Sequence, residues 1–296
     1  MIKDGKFYKK KEGMKRMSKK ILVTGCNGQL GRAINKEYAE SDVTFINTDV
    51  AEGEGVTALD ITKIEQVLSL VRAEQPEVII NCAAHTNVDA CEKQWDAAYR
   101  INALGPRNLS IAAEAVGAKM IHVSTDYVFD GTKKEPYKPD DRPNPINNYG
   151  ITKYEGEEAV RSLCEKYYIA RTSWLYGHHG KNFVETMLSL ADKPEIKVVD
   201  DQTGCPTWTV ELANGILKLL SKPYGTYHVC GSGSTTWYGF AKEIFSQAGM
   251  NVNLQPCTTE EFPRPAKRPA HSVMDNDKIC RNWQAALRDY MELRNF

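Results

Sequence analysis

The sequence predicts an α/β fold in which a doubly wound, parallel sheet of about seven strands carries helices on both faces. Two observations support this fold class. Short β-rich runs alternate with helical patterns through about the first 175 residues, and this alternation is typical of right-handed crossovers between parallel strands. The length of 296 residues, 42% of them hydrophobic, is enough to bury the core of one large α/β unit.

Seven runs account for the strands of this sheet. They are Lys19–Gly25, Asp42–Asp49, Val56–Asp60, Glu77–Ala83, Lys119–Thr125, Tyr167–Trp174 and Thr226–Cys230. The first six follow one another with helices between them, and the seventh returns to the sheet late in the chain. The pattern is therefore Rossmann-like.

A second, smaller portion of the chain is predicted after about residue 175, where the alternation loosens and proline, glycine and tryptophan become denser. We assign residues 19–172 to the sheet domain, with the sheet completed by about residues 206–231. Residues 173–205 and 232–296 form the smaller carboxy-terminal portion. Residues 1–18 are expected to be a basic, flexible tail.

Charge is balanced over the chain, with 38 Lys and Arg against 38 Asp and Glu, so no global field favours nucleic acid or an anionic membrane. Nine basic and two acidic residues fall within residues 1–20, but no apolar run of a secretory signal follows them. No segment approaches the roughly 18 apolar residues of a membrane span. The eight cysteines form no CxxC pair and are typical of reduced thiols. We expect a cytoplasmic protein.

A glycine-rich loop follows the first strand directly. Residues 24–32 read TGCNGQLGR, a G-x-x-G-x-x-G loop whose glycines permit a tight turn and let backbone N–H groups approach a pyrophosphate at a helix N-terminus. The alternative is that the glycines only close a turn, but Asp49 ends the second strand, where an acid can hold a ribose hydroxyl. The predicted dinucleotide contacts in the loop are Gly25, Asn27, Gly28, Gln29, Leu30, Gly31 and Arg32.

The predicted cofactor is NADPH or NADH. Asp49 would repel a 2′-phosphate whereas Arg32 would attract one, so we expect both cofactors to be accepted. Further cofactor contacts are expected at two strand ends, at Asp60, Ile61, Ala83 and Ala84. The first pair would meet the adenine or, as an equal alternative, only close a turn, and the second pair is small enough for close approach of the nicotinamide ribose.

A strand-end hydroxyl and a Tyr–Lys pair together predict proton transfer to a substrate oxygen. Ser124 and Thr125 end the fifth strand, at the carboxyl edge where open parallel sheets bind ligands. Tyr149 and Lys153 form a Y-x-x-x-K pair on one face of a helix, where the ammonium should lower the tyrosine pKa from about 10. We predict that Thr125, or Ser124, donates a hydrogen bond to a substrate oxygen, that Tyr149 supplies the proton, and that a nicotinamide supplies the hydride. Both members of the Y-x-x-x-K pair are also expected to contact the cofactor.

With this glycine loop, the strand-end Ser/Thr and the Y-x-x-x-K pair, the chain resembles the extended short-chain dehydrogenase/reductase family over about residues 18–290. The finer resemblance is to the dTDP-4-dehydrorhamnose reductases. It is carried by residues 28–31, 81–89 with Glu92, 124–131, 147–150 with Lys153, 171–177, 201–207, and Arg268 with Pro269 and Ser272. The resemblance implies reduction of the C4 carbonyl of dTDP-4-dehydro-L-rhamnose to dTDP-L-rhamnose, with Thr125, Tyr149 and Lys153 at the catalytic positions. The sheet domain is then the dinucleotide-binding domain, and the smaller portion binds the substrate.

The nucleotide-sugar substrate adds further candidates. Within the motifs of the resemblance these are Thr86, Val88 and Asp126. Trp174 ends the sixth strand and is either a wall of the pocket or a core residue. Arg264 and Arg268 lie in a proline-flanked segment that would clasp the diphosphate of the substrate, with a solvated basic turn as the alternative. The resemblance also makes a homodimer an expectation.

No metal is predicted, because the neighbouring His178 and His179 have no third ligand at a suitable spacing. Two other functions remain as alternatives. A dehydratase or epimerase of the same family is one, although Tyr127 stands where a dehydratase has its glutamate base. The other is a regulatory subunit that binds a dinucleotide without catalysis.

Overall fold

A computed structural model describes residues 20–39 and 41–294. It also describes Ile2–Lys3 and Lys6–Phe7, which pair as two short antiparallel strands. The rest of the predicted flexible tail lies outside the described residues.

A seven-stranded parallel sheet forms the centre of the molecule. Its strands are β1 (Lys20–Thr24), β2 (Thr44–Asp49), β3 (Thr57–Ala58), β4 (Val78–Asn81), β5 (Lys119–Thr125), β6 (Tyr167–Thr172) and β7 (Gly225–His228). They lie in the order β7-β6-β5-β4-β1-β2-β3, and every pair is parallel. The predicted fold class and all seven predicted strands are confirmed.

The α-helices of the described residues either pack around the central sheet or lie in the smaller portion of the chain. They are α1 (Gln29–Glu37), α2 (Ile64–Glu74), α3 (Val88–Lys93), α4 (Trp95–Tyr99), α5 (Gly105–Val116), α6 (Asn148–Leu163), α7 (Phe183–Ser189), α8 (Thr209–Leu219), α9 (Trp237–Gln247) and α10 (Trp283–Arg294). A π-helical turn, Arg100–Leu104, joins α4 to α5, and a 3₁₀ turn, Asp126–Val128, follows β5. Across residues 20–39 and 41–294, no helix has the length and apolar character needed to cross a membrane.

The alternation of side chains along β1 shows how the two faces are filled. Ile21 and Val23 point to one face and pack with buried residues of α1 and α8. Leu22 points to the other face and packs with α2, α5 and α6. A strand buried on both faces is expected to carry consecutive apolar residues, as β1 does at Ile21, Leu22 and Val23.

The smaller portion has a hydrophobic cluster of its own, which includes Tyr176, Val184, Trp208, Phe240 and Trp283. Its short strands pair as Leu175–Tyr176 with Thr207–Trp208, Ile196–Val199 with Leu254–Cys257, and Thr203–Gly204 with Thr235–Thr236. Between them α8 and β7 return to the central sheet. The residue boundaries of the two portions stay a prediction.

Candidate active site

A cleft of about 1350 Å³ lies at the carboxyl ends of the central strands, beside the smaller portion. The predicted cofactor and catalytic residues all line it: Gly25, Asn27, Gly28, Gln29, Leu30, Gly31, Arg32, Asp49, Asp60, Ile61, Ala83, Ala84, Thr125, Tyr149 and Lys153. Four of the predicted substrate residues line it as well: Thr86, Val88, Asp126 and Trp174. The structure therefore brings residues from distant parts of the chain to one place.

The glycine loop closes the cleft at the start of α1. Gly25 has a φ of +65°, and a Cβ there would lie 2.8 Å from the Cα of Ala83. A Cβ on Gly31 would lie 2.5 Å from the Cα of Cys26. Because these contacts are with backbone, no side chain fits at either position. The cradle left open by the two glycines, at the N-terminus of a helix, suits a pyrophosphate.

One acidic and one basic side chain flank this loop. The carboxylate of Asp49 accepts hydrogen bonds from the backbone N–H groups of Asn27 (3.0 Å) and Val50 (2.8 Å). Arg32 is exposed, and its Nε donates to the carbonyl of Asn27 (2.8 Å). The site thus offers an acceptor for a ribose hydroxyl and a cation for a 2′-phosphate side by side.

Asp60 closes a turn and also lies on the cleft, so its contact with the adenine stays a prediction. Its Oδ1 accepts from the N–H and the Oγ1 of Thr62, at 2.9 and 2.7 Å, and so closes a turn before α2. The same residue lines the cleft, next to the buried Ile61.

The catalytic positions come together where α6 begins. Thr125 donates from Oγ1 to Oδ1 of Asp126 (3.0 Å) and accepts from the N–H of Tyr127 (3.1 Å). The ring of Tyr149 packs edge-on against that of Tyr127, with centroids 5.8 Å apart. Gly150 permits this approach, because a Cβ there would lie 2.1 Å from the carbonyl oxygen of Tyr127. The start of α6 is thereby fixed against the turn that follows β5.

Lys153 is buried one turn further along α6, and its Nζ donates to the carbonyl of Val123 (2.6 Å). Burial lowers the pKa of Lys153 to about 8. Burial also raises the pKa of Tyr149 above its ordinary value, against a hydrogen bond with Thr125 that would lower it. The expected lowering of the tyrosine pKa by Lys153 is therefore wrong for this structure, since removal of the phenolate from water dominates and the ammonium is bonded to a carbonyl.

A buried ion pair fixes the next turn of α6 to β6. Glu157 is fully buried, and its two oxygens accept from Nε and Nη2 of Arg171, at 2.9 and 2.7 Å. Although burial alone would raise it, the hydrogen bonds and charge of Arg171 hold the pKa of Glu157 below its ordinary value. Spacing in the sequence places Glu157 four residues after Lys153, but it does not indicate that its partner lies on a strand.

An aromatic wall forms the side of the cleft that belongs to the smaller portion. Trp174 has a φ of +46°, an uncommon conformation for a bulky residue. Its ring stacks on that of Trp237, with centroids 3.5 Å apart and planes 7° apart. Gly204 makes room for it, because a Cβ there would lie 2.5 Å from the Trp174 ring. Trp174 was considered either as a wall of the pocket or as a core residue, and in the structure it forms part of the wall of the cleft.

Several residues that line the cleft were missed by sequence reasoning. They include Thr62, Arg100, Thr172, Ser173 and Trp237. Arg100 begins the π-helical turn, a feature often found at functional sites. Trp237 comes from α9, far beyond β6 in the chain, and no local spacing connects it to the glycine loop.

Arg264 and Arg268 do not line the cleft. Nη1 of Arg268 lies 2.6 Å from Oδ1 of Asp89, and Nη1 of Arg264 lies 3.9 Å from Oδ2 of the same carboxylate. Burial would raise the pKa of Asp89, but these guanidinium groups hold it below its ordinary value. Asp89 follows Val88 on α3, so the two arginines lie beside a helix that contributes to the cleft, and their contact with the diphosphate stays a prediction.

In the part of the chain that the structure describes, no three His, Cys, Asp or Glu side chains are grouped to hold a metal ion. The ring of His178 instead stacks on Tyr290, with centroids 4.5 Å apart.

A family model described as the RmlD substrate binding domain matches residues 19–294 of the chain. The chain belongs to this family. It is 40% identical to the spore coat polysaccharide biosynthesis protein SpsK of Bacillus subtilis (strain 168), with 93% of this chain and 98% of the relative covered. The resemblance predicted from the sequence is confirmed by this match and by solved structures.

Two of these structures are dTDP-4-dehydrorhamnose reductases. The one from Clostridium acetobutylicum is 51% identical, with a TM-score of 0.89. The match covers 94% of this chain and 100% of the reductase chain. The one from Bacillus anthracis, solved in complex with NADP, is 42% identical, with a TM-score of 0.87 and the same coverage. The likeness therefore extends over both portions of the molecule.

Proposed function

We propose that this protein reduces the C4 carbonyl of dTDP-4-dehydro-L-rhamnose to dTDP-L-rhamnose with NADPH or NADH. The observation that carries the proposal is that Thr125, Tyr149 and Lys153 line the same cleft as the glycine loop. The reductase names of the similar solved structures, and the NADP bound in one of them, support the choice of substrate and cofactor.

The nicotinamide, when bound, supplies the hydride that reduces the carbonyl carbon. The glycine loop and the N-terminus of α1 would hold its pyrophosphate, and Lys153 would hold its ribose. Charge develops on the carbonyl oxygen as the ketone is reduced, and hydroxyl donors beside that oxygen stabilise it. Tyr149 donates its phenolic proton to this oxygen and regains one from solvent, so each turnover consumes one proton.

Tyr127 argues against elimination chemistry in this cleft. A dehydratase needs a carboxylate base at this position, but here an aromatic ring packs on Tyr149. The decisive assay follows nicotinamide absorbance with dTDP-4-dehydro-L-rhamnose and identifies the product by mass and NMR. Oxidation of the cofactor with formation of dTDP-L-rhamnose supports reduction. Dinucleotide binding without turnover of this or any other 4-keto nucleotide sugar would instead favour a regulatory subunit.

We also propose that the enzyme works in the cytoplasm. The free cysteines support this setting, since all eight lie within the described residues and none is in a disulfide. A homodimer stays a prediction, which sedimentation of the purified protein tests.

Arg32→Ala is expected to weaken NADPH binding about tenfold and to leave NADH binding nearly unchanged. The reason is that only NADPH carries the 2′-phosphate that a guanidinium beside Asp49 would bind with charge-assisted hydrogen bonds. Dissociation constants from fluorescence titration with each cofactor measure the effect. Lys36→Ala, on the same helix, is the matched control. Equal weakening of both cofactors would place the 2′-phosphate elsewhere.

Arg268→Ala is expected to raise the KM for the sugar nucleotide several-fold, with little change in NADPH affinity. The substitution removes a cation from beside α3 and leaves Asp89 with only the more distant Arg264 (3.9 Å) as a charged partner, so a less fully neutralised carboxylate opposes the diphosphate. Steady-state kinetics at low ionic strength measure the effect, with Lys267→Ala as the control.

The double variant Arg268→Ala with Asp89→Asn separates two roles of the arginine. Recovery of the KM means that Arg268 acts by neutralising Asp89. A KM that stays high means that the guanidinium binds the diphosphate itself. If Arg268→Ala alone changes nothing, the diphosphate site lies elsewhere, and Lys181 on the cleft wall is the next residue to substitute.

A further inference from the structure

A buried carboxyl group lies directly behind the strand-end threonine. Asp126 is 2% exposed. Its Oδ1 accepts from Oγ1 of Thr125 (3.0 Å) and its Oδ2 accepts from Oγ of Ser272 (2.5 Å). Ser272 is fixed in turn, because its N–H donates to the carbonyl of Thr203 (2.8 Å). The carboxyl group thus joins the sheet domain to the smaller portion at the place where the chemistry occurs.

A count of protons shows what this arrangement does to Thr125. A hydroxyl group has one proton and two lone pairs. Thr125 already accepts from the N–H of Tyr127 (3.1 Å). Its one proton has two protein acceptors, Oδ1 of Asp126 (3.0 Å) and the phenolic oxygen of Tyr149, and the negative charge of an ionised Asp126 holds that proton on the carboxylate side. While Asp126 is ionised, Thr125 therefore has no proton for a substrate oxygen. If Oδ1 of Asp126 carries a proton, it donates to the second lone pair of Thr125, and the threonine proton is free to point into the cleft.

We propose that Asp126 is a positioning residue whose protonation decides whether Thr125 donates a hydrogen bond to the carbonyl oxygen of the substrate. The inference rests on the proposed reductase function and adds to it a residue whose protonation state regulates Thr125. The proton on Asp126 is not consumed in the reaction. The hydride comes from the nicotinamide and the transferred proton from Tyr149, while Asp126 keeps its proton throughout the cycle.

The environment of Asp126 makes both of its states accessible near neutral pH. Burial raises the pKa of Asp126 to about 6, although the hydrogen bonds from Ser272 and Thr125 oppose that rise. The titratable groups that face it are Tyr127 on the same turn, Tyr149 on α6 and Cys230 after β7. Burial raises the pKa of both tyrosines, and the hydrogen bond with Cys205 together with burial raises that of Cys230, so all three stay neutral between about pH 5 and 8.

The kinetic test is the pH profile of kcat/KM for the sugar nucleotide at saturating cofactor. In the wild type we expect a fall of at least tenfold as the pH rises through about 6, because a lost donor to a developing oxyanion is costly. Ser272→Ala removes a hydrogen bond that favours the ionised carboxylate, so it should move the midpoint upward by about one pH unit and keep the acidic plateau. Ser189→Ala, at an exposed hydroxyl on α7, should leave the midpoint unchanged. Asp126→Asn should abolish this limb of the profile.

A second readout does not depend on the substrate. In protein labelled with ¹³C at the aspartate carboxyl groups, one resonance that is absent from Asp126→Asn should titrate near pH 6, and Ser272→Ala should shift its midpoint upward. A flat wild-type profile with full turnover overturns the inference and leaves the reductase function standing. The absence of such a resonance overturns it as well. If the resonance titrates as expected but no 4-keto nucleotide sugar is reduced, the proposed function fails while the proton on Asp126 is established.

Discussion

Tyr149→Phe is expected to lower turnover by about 10² or more and to leave NADPH affinity nearly unchanged. The substitution removes only the phenolic oxygen, and loss of a general acid costs about this much. The ring that remains can keep its edge-on contact with Tyr127. The glycine loop, on the opposite side of the cleft, is untouched.

Single-turnover and steady-state rates of nicotinamide oxidation measure the effect on chemistry, and fluorescence titration measures the affinity for NADPH. Tyr154→Phe is the matched control on the same helix, because Tyr154 packs against a hydrophobic cluster outside the cleft. It should retain nearly the wild-type rate. Wild-type turnover by Tyr149→Phe would remove this hydroxyl from the mechanism.

Glu157→Leu is expected to lower the free energy of unfolding by about 3 to 5 kcal/mol. The side chain of Arg171 is only 1% exposed, and without Glu157 its charge would be buried without a carboxylate partner. The pKa of Glu157 is held below its ordinary value of 4.5. The stabilisation is therefore complete above about pH 4.5 and is lost as the pH falls through the lower pKa of the folded state.

The double variant Glu157→Leu with Arg171→Met should recover most of this loss, because a buried ion pair can be exchanged for apolar side chains of similar volume. Denaturant unfolding measures all three proteins. Glu158→Leu is the control, since that neighbour is 48% exposed and should change stability by less than about 1 kcal/mol. A double variant as unstable as Glu157→Leu would mean that packing, not the unpaired charge, causes the loss.

The sequence by itself determined the central sheet and the residues at its carboxyl edge. Each strand is a short run of residues, and in a parallel sheet the chain leaves every strand at the same edge. The glycine loop after β1, Thr125 at the end of β5 and the Y-x-x-x-K pair on α6 therefore had to lie near one another. Local patterns were sufficient because the regular alternation of strands and helices supplies the long-range geometry.

Only the tertiary structure decided how side chains distant in the sequence pair around these residues. Trp174 stacks on Trp237, and Asp126 accepts from Ser272. Arg268, whose contact with the diphosphate stays a prediction, forms an ion pair with Asp89. The contacts of Asp126 and Asp89 join the sheet domain to loops of the smaller portion, and the contact of Trp174 lies within that portion. No regular spacing in the sequence fixes any of these partners. The raised pKa of Tyr149 was likewise decided only by the tertiary structure. Burial depends on the whole fold, and it outweighs the effect of the ammonium four residues away.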